Sequence, residues 1–315
     1  MLKSIIKIIL CLCLTQSYTQ DKGILWTVAW SPNGNFIAVG GDQGDLKIFS
    51  GKTFKLLKTF PVKDVILSRL KWHPFQNKLA VITQSSTFKA KILDLDSEEW
   101  TNLKGLKNSF RGLDWNYNGT LLAVSEFEDF VSVFDVNGKL VSRFRADKKG
   151  VAGLDWHPKK NVLVTVGSEI GVFNHLGDTL NMFKPRSEEV ILLCLEWHKS
   201  GNYFAVGDYG DLEKAENKRV QFWNAKGKKL KEIVGGVVEY RNLRWNKNGK
   251  KLATASDALR IWNKKGTLCV ESKSTDDYLW GIDWSPDGNY IVTSNSKGKI
   301  VIWTKTAEKV LELQY

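Results

Sequence analysis

The chain has 315 residues, 43% of them hydrophobic, with 13 tryptophans and only six prolines. That is enough apolar material for a sizeable core, which excludes a disordered chain, and the length suits two ordinary domains or one large all-β domain. The formal net charge of +12 comes from lysines dispersed over the whole length. Dispersed lysine is a solvated surface that also guards strand edges, and without an arginine-rich or aromatic-interleaved motif it argues against nucleic acid as the partner.

In the first twenty residues, MLKSIIKIILCLCLTQSYTQ, Lys3 and Lys7 precede an apolar run at 8–14, which small polar residues follow. This is the grammar of an export signal. Residues 1–17 are therefore expected to be a signal peptide, giving an exported (periplasmic or secreted) protein; a retained segment would add a strand or a short helix and leave the protein cytoplasmic. The run is far shorter than the ~20 residues of a membrane-spanning helix, so no span is expected in the mature chain. Cys11 and Cys13 each follow a leucine, where lipid-anchor signals carry a small residue. Beyond the segment only Cys194 and Cys269 remain, in LLCLEW and TLCVES, and both read as small core residues rather than a disulfide framework.

From there one phrase repeats to the C-terminus. TVAWSPNGNFIAVG at 27–40 returns as GIDWSPDGNYIVTS at 281–294. Aligning on it gives Trp30, Trp72, Trp115, Trp156, Trp197, Trp245 and Trp284, spaced by 39–48 residues. Two positions before each tryptophan is aliphatic: Val28, Leu70, Leu113, Leu154, Leu195, Leu243 and Ile282. Four positions after it, five copies carry glycine (Gly34, Gly119, Gly201, Gly249, Gly288), free to adopt positive φ where the chain reverses. A second apolar run follows, then a third strand usually ending in an aromatic, as in LKIF, VSVF, VQFW and IVIW. Each copy closes with a polar turn and a fourth strand. Four short antiparallel strands in about 40 residues make one propeller blade. The expected architecture is an all-β, seven-bladed β-propeller over 22–315, with blades at about 22–62, 63–105, 106–146, 147–186, 187–236, 237–274 and 275–315.

A lone blade cannot bury enough surface, so large flat side chains must fill the wedge between neighbouring sheets. An indole buries 150–250 Å², or roughly 4–6 kcal/mol of gross burial at about 25 cal/mol/Å². The seven repeated tryptophans are expected to form that inter-blade core.

The sequence resembles the WD40 family of seven-bladed propellers on WSPNG at 30–34, WSPDG at 284–288 and the third-strand tryptophans Trp223, Trp262 and Trp303. It departs in lacking any Gly-His or Trp-Asp dipeptide, so the family's buried Asp-His network is expected to be missing. The last copy has its own fourth strand at 309–315, so the ring is expected to close by blade-to-blade packing. The resemblance implies a non-enzymatic scaffold, a monomeric ring that takes a protein or peptide partner on the face where the inner strands begin. Four positions before each blade tryptophan stand Trp26, Ser68, Arg111, Ala152, Leu193, Arg241 and Trp280. Tyrosine, tryptophan and arginine dominate interface hot spots. Trp26, Arg111, Tyr240, Arg241, Tyr278 and Trp280 are thus the expected contact residues, with Tyr209 in the loop inserted at 207–219, which rises from the same face.

Catalytic motifs are sparse. There is no nucleophile elbow, no paired-histidine zinc motif and no CxxC pair, and the Gly-Lys-Thr at 51–53 falls in a hairpin without the glycine spacing of a phosphate loop. His73, His157 and His198 share one repeat position, spread around a ring, which no single metal can span. Asp114, Asp155, Glu196 and Asp283 directly precede blade tryptophans; they suit acid–base chemistry, or a wet channel in which lysine or arginine pairs with them. No cofactor and no metal is expected. The competing readings are a propeller enzyme or ligand receptor using the channel, and a basic scaffold on an anionic polymer or membrane.

Overall fold

The computed structural model describes residues 23–62, 65–85, 88–106, 110–126, 129–185, 190–210, 218–272 and 277–315. The expected signal peptide, with Cys11 and Cys13, lies outside the described residues, as does the 211–217 part of the inserted loop.

Seven four-stranded antiparallel sheets follow one another along the chain, over 27–61, 67–102, 110–145, 151–183, 192–236, 242–271 and 279–314. In each, the strands run consecutively from the innermost to the outermost. The innermost strands are Thr27–Trp30, Leu67–Trp72, Phe110–Trp115, Val151–Trp156, Leu192–Trp197, Asn242–Trp245 and Leu279–Trp284, and every one ends on its repeat tryptophan. Each packs against the innermost strands of both neighbours, the first against the last, so the sheets close into a ring. This is a seven-bladed β-propeller.

The turn behind each tryptophan follows from its residues. Ser31 Oγ donates to Asn33 Oδ1 at 2.7 Å and accepts from Phe36 N at 2.9 Å, while Gly34, at φ +78°, donates its N–H to Ser31 O. Ser285, Asp287, Gly288 and Tyr290 repeat the pattern in blade 7. The Gly-Lys-Thr at 51–53 is the turn between strands Asp45–Ser50 and Leu56–Pro61.

All seven repeat tryptophans are buried, none more than 6% exposed. The described core divides into seven clusters, one per blade seam, and each holds one of them. Trp72, for example, packs on Ala38, Leu46 and Ile48 of blade 1, and Trp245 on Ala205, Val220 and Phe222 of blade 5. The third-strand tryptophans bond within their own blades, Trp262 Nε1 to Thr254 Oγ1 at 3.0 Å and Trp303 Nε1 to Thr293 Oγ1 at 2.8 Å.

Among the described residues, blades 1 and 7 meet without exchanging a strand. Trp30 N donates to Asp283 Oδ2 at 2.8 Å, Leu25 N to Asn295 O at 3.0 Å, and Ser294 Oγ to Leu25 O at 2.9 Å. Cys194 is buried as expected, and burial pushes its thiol up to about 12. Cys269 is a correction: it lies exposed on an outermost strand, most of whose side chains face solvent.

Candidate functional site

The central channel is built from the residues preceding the blade tryptophans. Four carboxylates there reach sideways to the next blade. Asp114 accepts from Trp156 N at 2.9 Å, Asp155 from Trp197 N at 2.7 Å, Glu196 from Trp245 N at 2.6 Å, and Asp283 from Trp30 N at 2.8 Å. Blades 2 and 6 place Lys71 and Arg244 at this position instead. Lys71 Nζ lies 3.0 Å from Asp114 and 4.0 Å from Asp155, Lys199 pairs with Glu196 at 3.0 Å, and Arg244 approaches Asp283 at 3.9 Å. Burial, reinforced by the neighbouring Asp114, holds the Asp155 carboxyl well above the usual carboxylate range. These groups tie blade to blade and are neutralised by cations, as the channel reading expects; the arrangement gives them a structural task.

The three repeated histidines do related work just beyond the same end of the strands. His73, His157 and His198 direct Nε2 to the turn carbonyls of Gly119, Gly201 and Gly249 in the following blade, at 3.0, 3.0 and 2.9 Å. Their Nδ1 atoms accept backbone N–H bonds from their own turns. A ring nitrogen that accepts N–H and another that faces a carbonyl define the neutral, Nε2-protonated imidazole. Burial lowers all three below the ordinary histidine value.

The other end of the channel opens into a shallow mouth. All seven residues standing four before the tryptophans line it: Trp26, Ser68, Arg111, Ala152, Leu193, Arg241 and Trp280, joined by Arg69, Gln84 and Asn242. Trp26 and Trp280 sit side by side across the seam of blades 1 and 7, ring centroids 4.6 Å apart and tilted by 57°. Arg241 lies 3.7 Å over the Trp280 ring and pairs with Glu239. Trp26 Nε1 donates to Asp42 Oδ1 at 2.5 Å. Arg69 Nε donates to Arg111 O at 3.3 Å and its Nη1 to Asn242 Oδ1, and Asn242 Nδ2 donates to Trp280 O at 2.6 Å. This bonded path crosses the mouth from blade 2 through blade 6 to blade 7. A groove of about 540 Å³ leaves the mouth between blades 4 and 5, floored by Ala152, Val190, Ile191 and Leu193 and edged by Arg111, Lys149, Tyr209 and Arg241.

Of the seven expected contact residues, Trp26, Arg111, Arg241 and Trp280 line the mouth, Tyr209 lines the groove, and Tyr278 stands 51% exposed beside Trp280. Tyr240 is a correction. It is fully buried, packed against Gly207 and Gly236 in the seam of blades 5 and 6, and so presents nothing to a partner. Those glycines, with no side chain of their own, make its room. The Gly-Gly pair at 235–236 is the signal in the sequence that marks this.

Sequence reasoning missed Arg69 and Asn242, which stand three rather than four positions before their tryptophans. Strand alternation alone would turn a neighbouring residue the other way. A register shift between Leu67 and Arg69 breaks that alternation, and a bulge of this kind re-aims a side chain. Glycines stand at the same repeat position in blades 3, 4 and 7 (Gly112, Gly153, Gly281), where a Cβ would lie within 3.1 Å of neighbouring strands, and they are legible in retrospect.

Ring, seams and mouth define a seven-bladed propeller with a polar channel and an aromatic–arginine rim. The WD40 domain of anaphase-promoting complex subunit 4 matches over residues 12–74, and eukaryotic translation initiation factor eIF2A over 181–305. Protein transport protein sec13 of Emericella nidulans is 23% identical over 315 residues, covering 89% of this chain and 92% of its own length. Anaphase-promoting complex subunit cdc20 of Dictyostelium discoideum is 25% identical over 161 residues, 49% of this chain and 30% of its own. The intraflagellar transport protein 80 homolog of Mus musculus is 23% identical over 189 residues, 59% of this chain and 23% of its own. The matched region thus spans less than a third of these last two relatives. The chain is a seven-bladed β-propeller that is similar, over these stretches, to a WD40 domain and to these relatives. Among the described residues no helix is long and apolar enough to cross a membrane.

Proposed function

We propose that the chain is a non-enzymatic scaffold that takes a protein or peptide partner on the end of the ring where the innermost strands begin. One observation carries this reading: seven residues from seven separate repeats converge on a single mouth, and four of them are tryptophan or arginine. Large rigid aromatics and planar guanidinium groups are the side chains that supply hot-spot energy. The buried carboxylates, by contrast, are tied into blade seams. Two relatives carry names that support a scaffold role, an anaphase-promoting complex subunit and a protein transport protein. The groove between blades 4 and 5, with Tyr209 at its edge, extends the docking face. The basic, apolar and polar order of residues 1–17 supports an exported compartment, which N-terminal sequencing of the natural protein tests.

The docking face is tested with Trp26→Ala combined with Trp280→Ala. Partners captured by the intact chain are expected to be lost. The pair spans a seam, so losing its aromatic contact costs about 0.5–1.5 kcal/mol beyond area burial, a drop of a few degrees in Tm. A ring that keeps every partner after this change does not use the face; collapse of the fold would make both residues core.

A further inference from the structure

The mouth has a sign as well as a shape. Arg69, Arg111 and Arg241 converge on it. Two carboxylates near it are engaged, Glu239 with Arg241, and Asp42 with Ile24 N and Trp26 Nε1. Among the described residues no carboxylate forms an ion pair with Arg69; its bonds go to a backbone carbonyl and to the Asn242 amide, both neutral. Two of its five N–H donors are used there. Burial, with Arg244 below it in the channel, lowers the Arg69 guanidinium to about 10. A half-buried cation on neutral acceptors, next to other cations, is a site whose missing element is an anion.

We infer that the mouth receives the carboxylate side chain of an acidic peptide segment, which the Arg69 fork holds while the segment leaves along the groove between blades 4 and 5. This rests on the docking face proposed above and specifies its partner. A guanidinium matches the two oxygens of a carboxylate in one plane. Arg241 is already paired with Glu239, which leaves the planar Arg69 fork to hold the two oxygens of one carboxylate. The groove suits a peptide rather than a free anion: Leu193 and Ile191 offer apolar contact and Lys149 continues the positive edge.

The test uses the full chain and a capped, fluorescent oligoglutamate peptide followed by anisotropy in physiological salt, with oligoglutamine as the uncharged control and inorganic phosphate as competitor. Oligoglutamate is expected to saturate and oligoglutamine not to bind. Arg69→Gln is expected to weaken the glutamate peptide by about tenfold or more, the scale of a hydrogen bond to a charged group. Arg145→Gln, removing an exposed arginine paired with Asp129 on an outer strand, should leave affinity unchanged, which separates the site from diffuse attraction to a basic surface. Should Arg69→Gln fail to fold, the Arg69 Nε–H resonance of the unmodified chain, assigned with Arg69→Lys, reports directly; it is expected to shift on adding oligoglutamate.

Equal affinity in Arg69→Gln, an unmoved resonance, or full displacement by inorganic phosphate at matched concentration overturns the assignment. The two readings fail separately. If Trp26→Ala with Trp280→Ala loses its partners while Arg69→Gln binds glutamate like the wild type, the face stands and the acidic ligand falls. If capture survives the tryptophan changes, the face itself falls.

Discussion

Among single residues, the indole nitrogen divides the seven repeat tryptophans. Trp72, Trp115, Trp156 and Trp284 each donate Nε1 to a carbonyl of the preceding blade, at 3.0–3.2 Å. Trp30 donates to Gly34 O of its own turn at 3.4 Å, and Trp197 and Trp245 bury the same nitrogen with no acceptor among the described residues. Replacing indole by phenyl therefore removes a bond in one group and an unsatisfied donor in the other. Trp156→Phe is expected to destabilise the fold by about 1–3 kcal/mol more than Trp197→Phe, the cost of an orphaned buried group, as read from urea midpoints. The histidines give a second residue-scale expectation. Their folded pKa values lie below the ordinary 6.5 because burial disfavours the imidazolium. The unfolded chain thus binds protons first, so their contribution is complete above about pH 6.5 and is lost as pH falls through that value towards the folded ones. Asp155 and Asp283 are shifted upward and act in the opposite sense, so the wild-type slope mixes both. The difference between wild type and a His73→Gln, His157→Gln, His198→Gln variant isolates the histidines: the variant's Tm should fall less between neutral and mildly acid pH. At this scale the sequence was informative about position and poor about direction. The period placed every tryptophan and every mouth residue four before it, but it could not tell that Tyr240 turns into a seam or that a bulge turns Arg69 out.

Turns show how one repeat element is used in two ways. Gly34 and Gly119 occupy equivalent positions at φ +78° and +74°. A Cβ on Gly34 would meet nothing closer than Pro286 at 3.9 Å, whereas one on Gly119 would lie 2.3 Å from His73 Nε2. Gly34→Ala should cost only the left-handed backbone, about 1–2 kcal/mol. Gly119→Ala must also expel His73 from its bond to the turn, adding about 1 kcal/mol for the hydrogen bond and more for lost packing. The expected order in urea is wild type, then Gly34→Ala, then Gly119→Ala, and combining His73→Ala with Gly119→Ala should cost less than the sum of the two changes. Equal losses for the two glycines would remove the histidine from any inter-blade role. Strand order, turn placement and the glycine requirement were legible because each is a local consequence of spacing. The bond from one blade's histidine to the next blade's glycine was not, because it joins residues 44–51 apart and nothing local announces the pairing.

For the ring as a whole, closure is the property that local pattern leaves open. Seam 1–7 has a buried tryptophan and a packed apolar cluster like the other six, and a carboxylate on the next blade's N–H like three of them. It adds Tyr315, whose hydroxyl donates to Asp45 O and whose ring carries Lys47 Nζ at 3.8 Å from its centroid. With no strand shared across it among the described residues, this seam holds by the same forces as the rest, so the ring should yield as one unit rather than open first where the two terminal blades meet. Asp283→Ala tests that directly. It leaves Trp30 N without its acceptor and Arg244 without one of its carboxylates, at a cost of about 1–3 kcal/mol. For a chain of this size about 2–4 °C of Tm accompanies each kcal/mol. The expected result is a lower Tm in a single calorimetric transition, with amide exchange of the innermost strands of blades 1 and 7 no faster than that of blades 3 and 4. Two resolved transitions, or early exchange confined to blades 1 and 7, would mean that the last seam is a weak joint, and that the Trp26–Trp280 pair standing over it sits on a hinge rather than on a rigid rim.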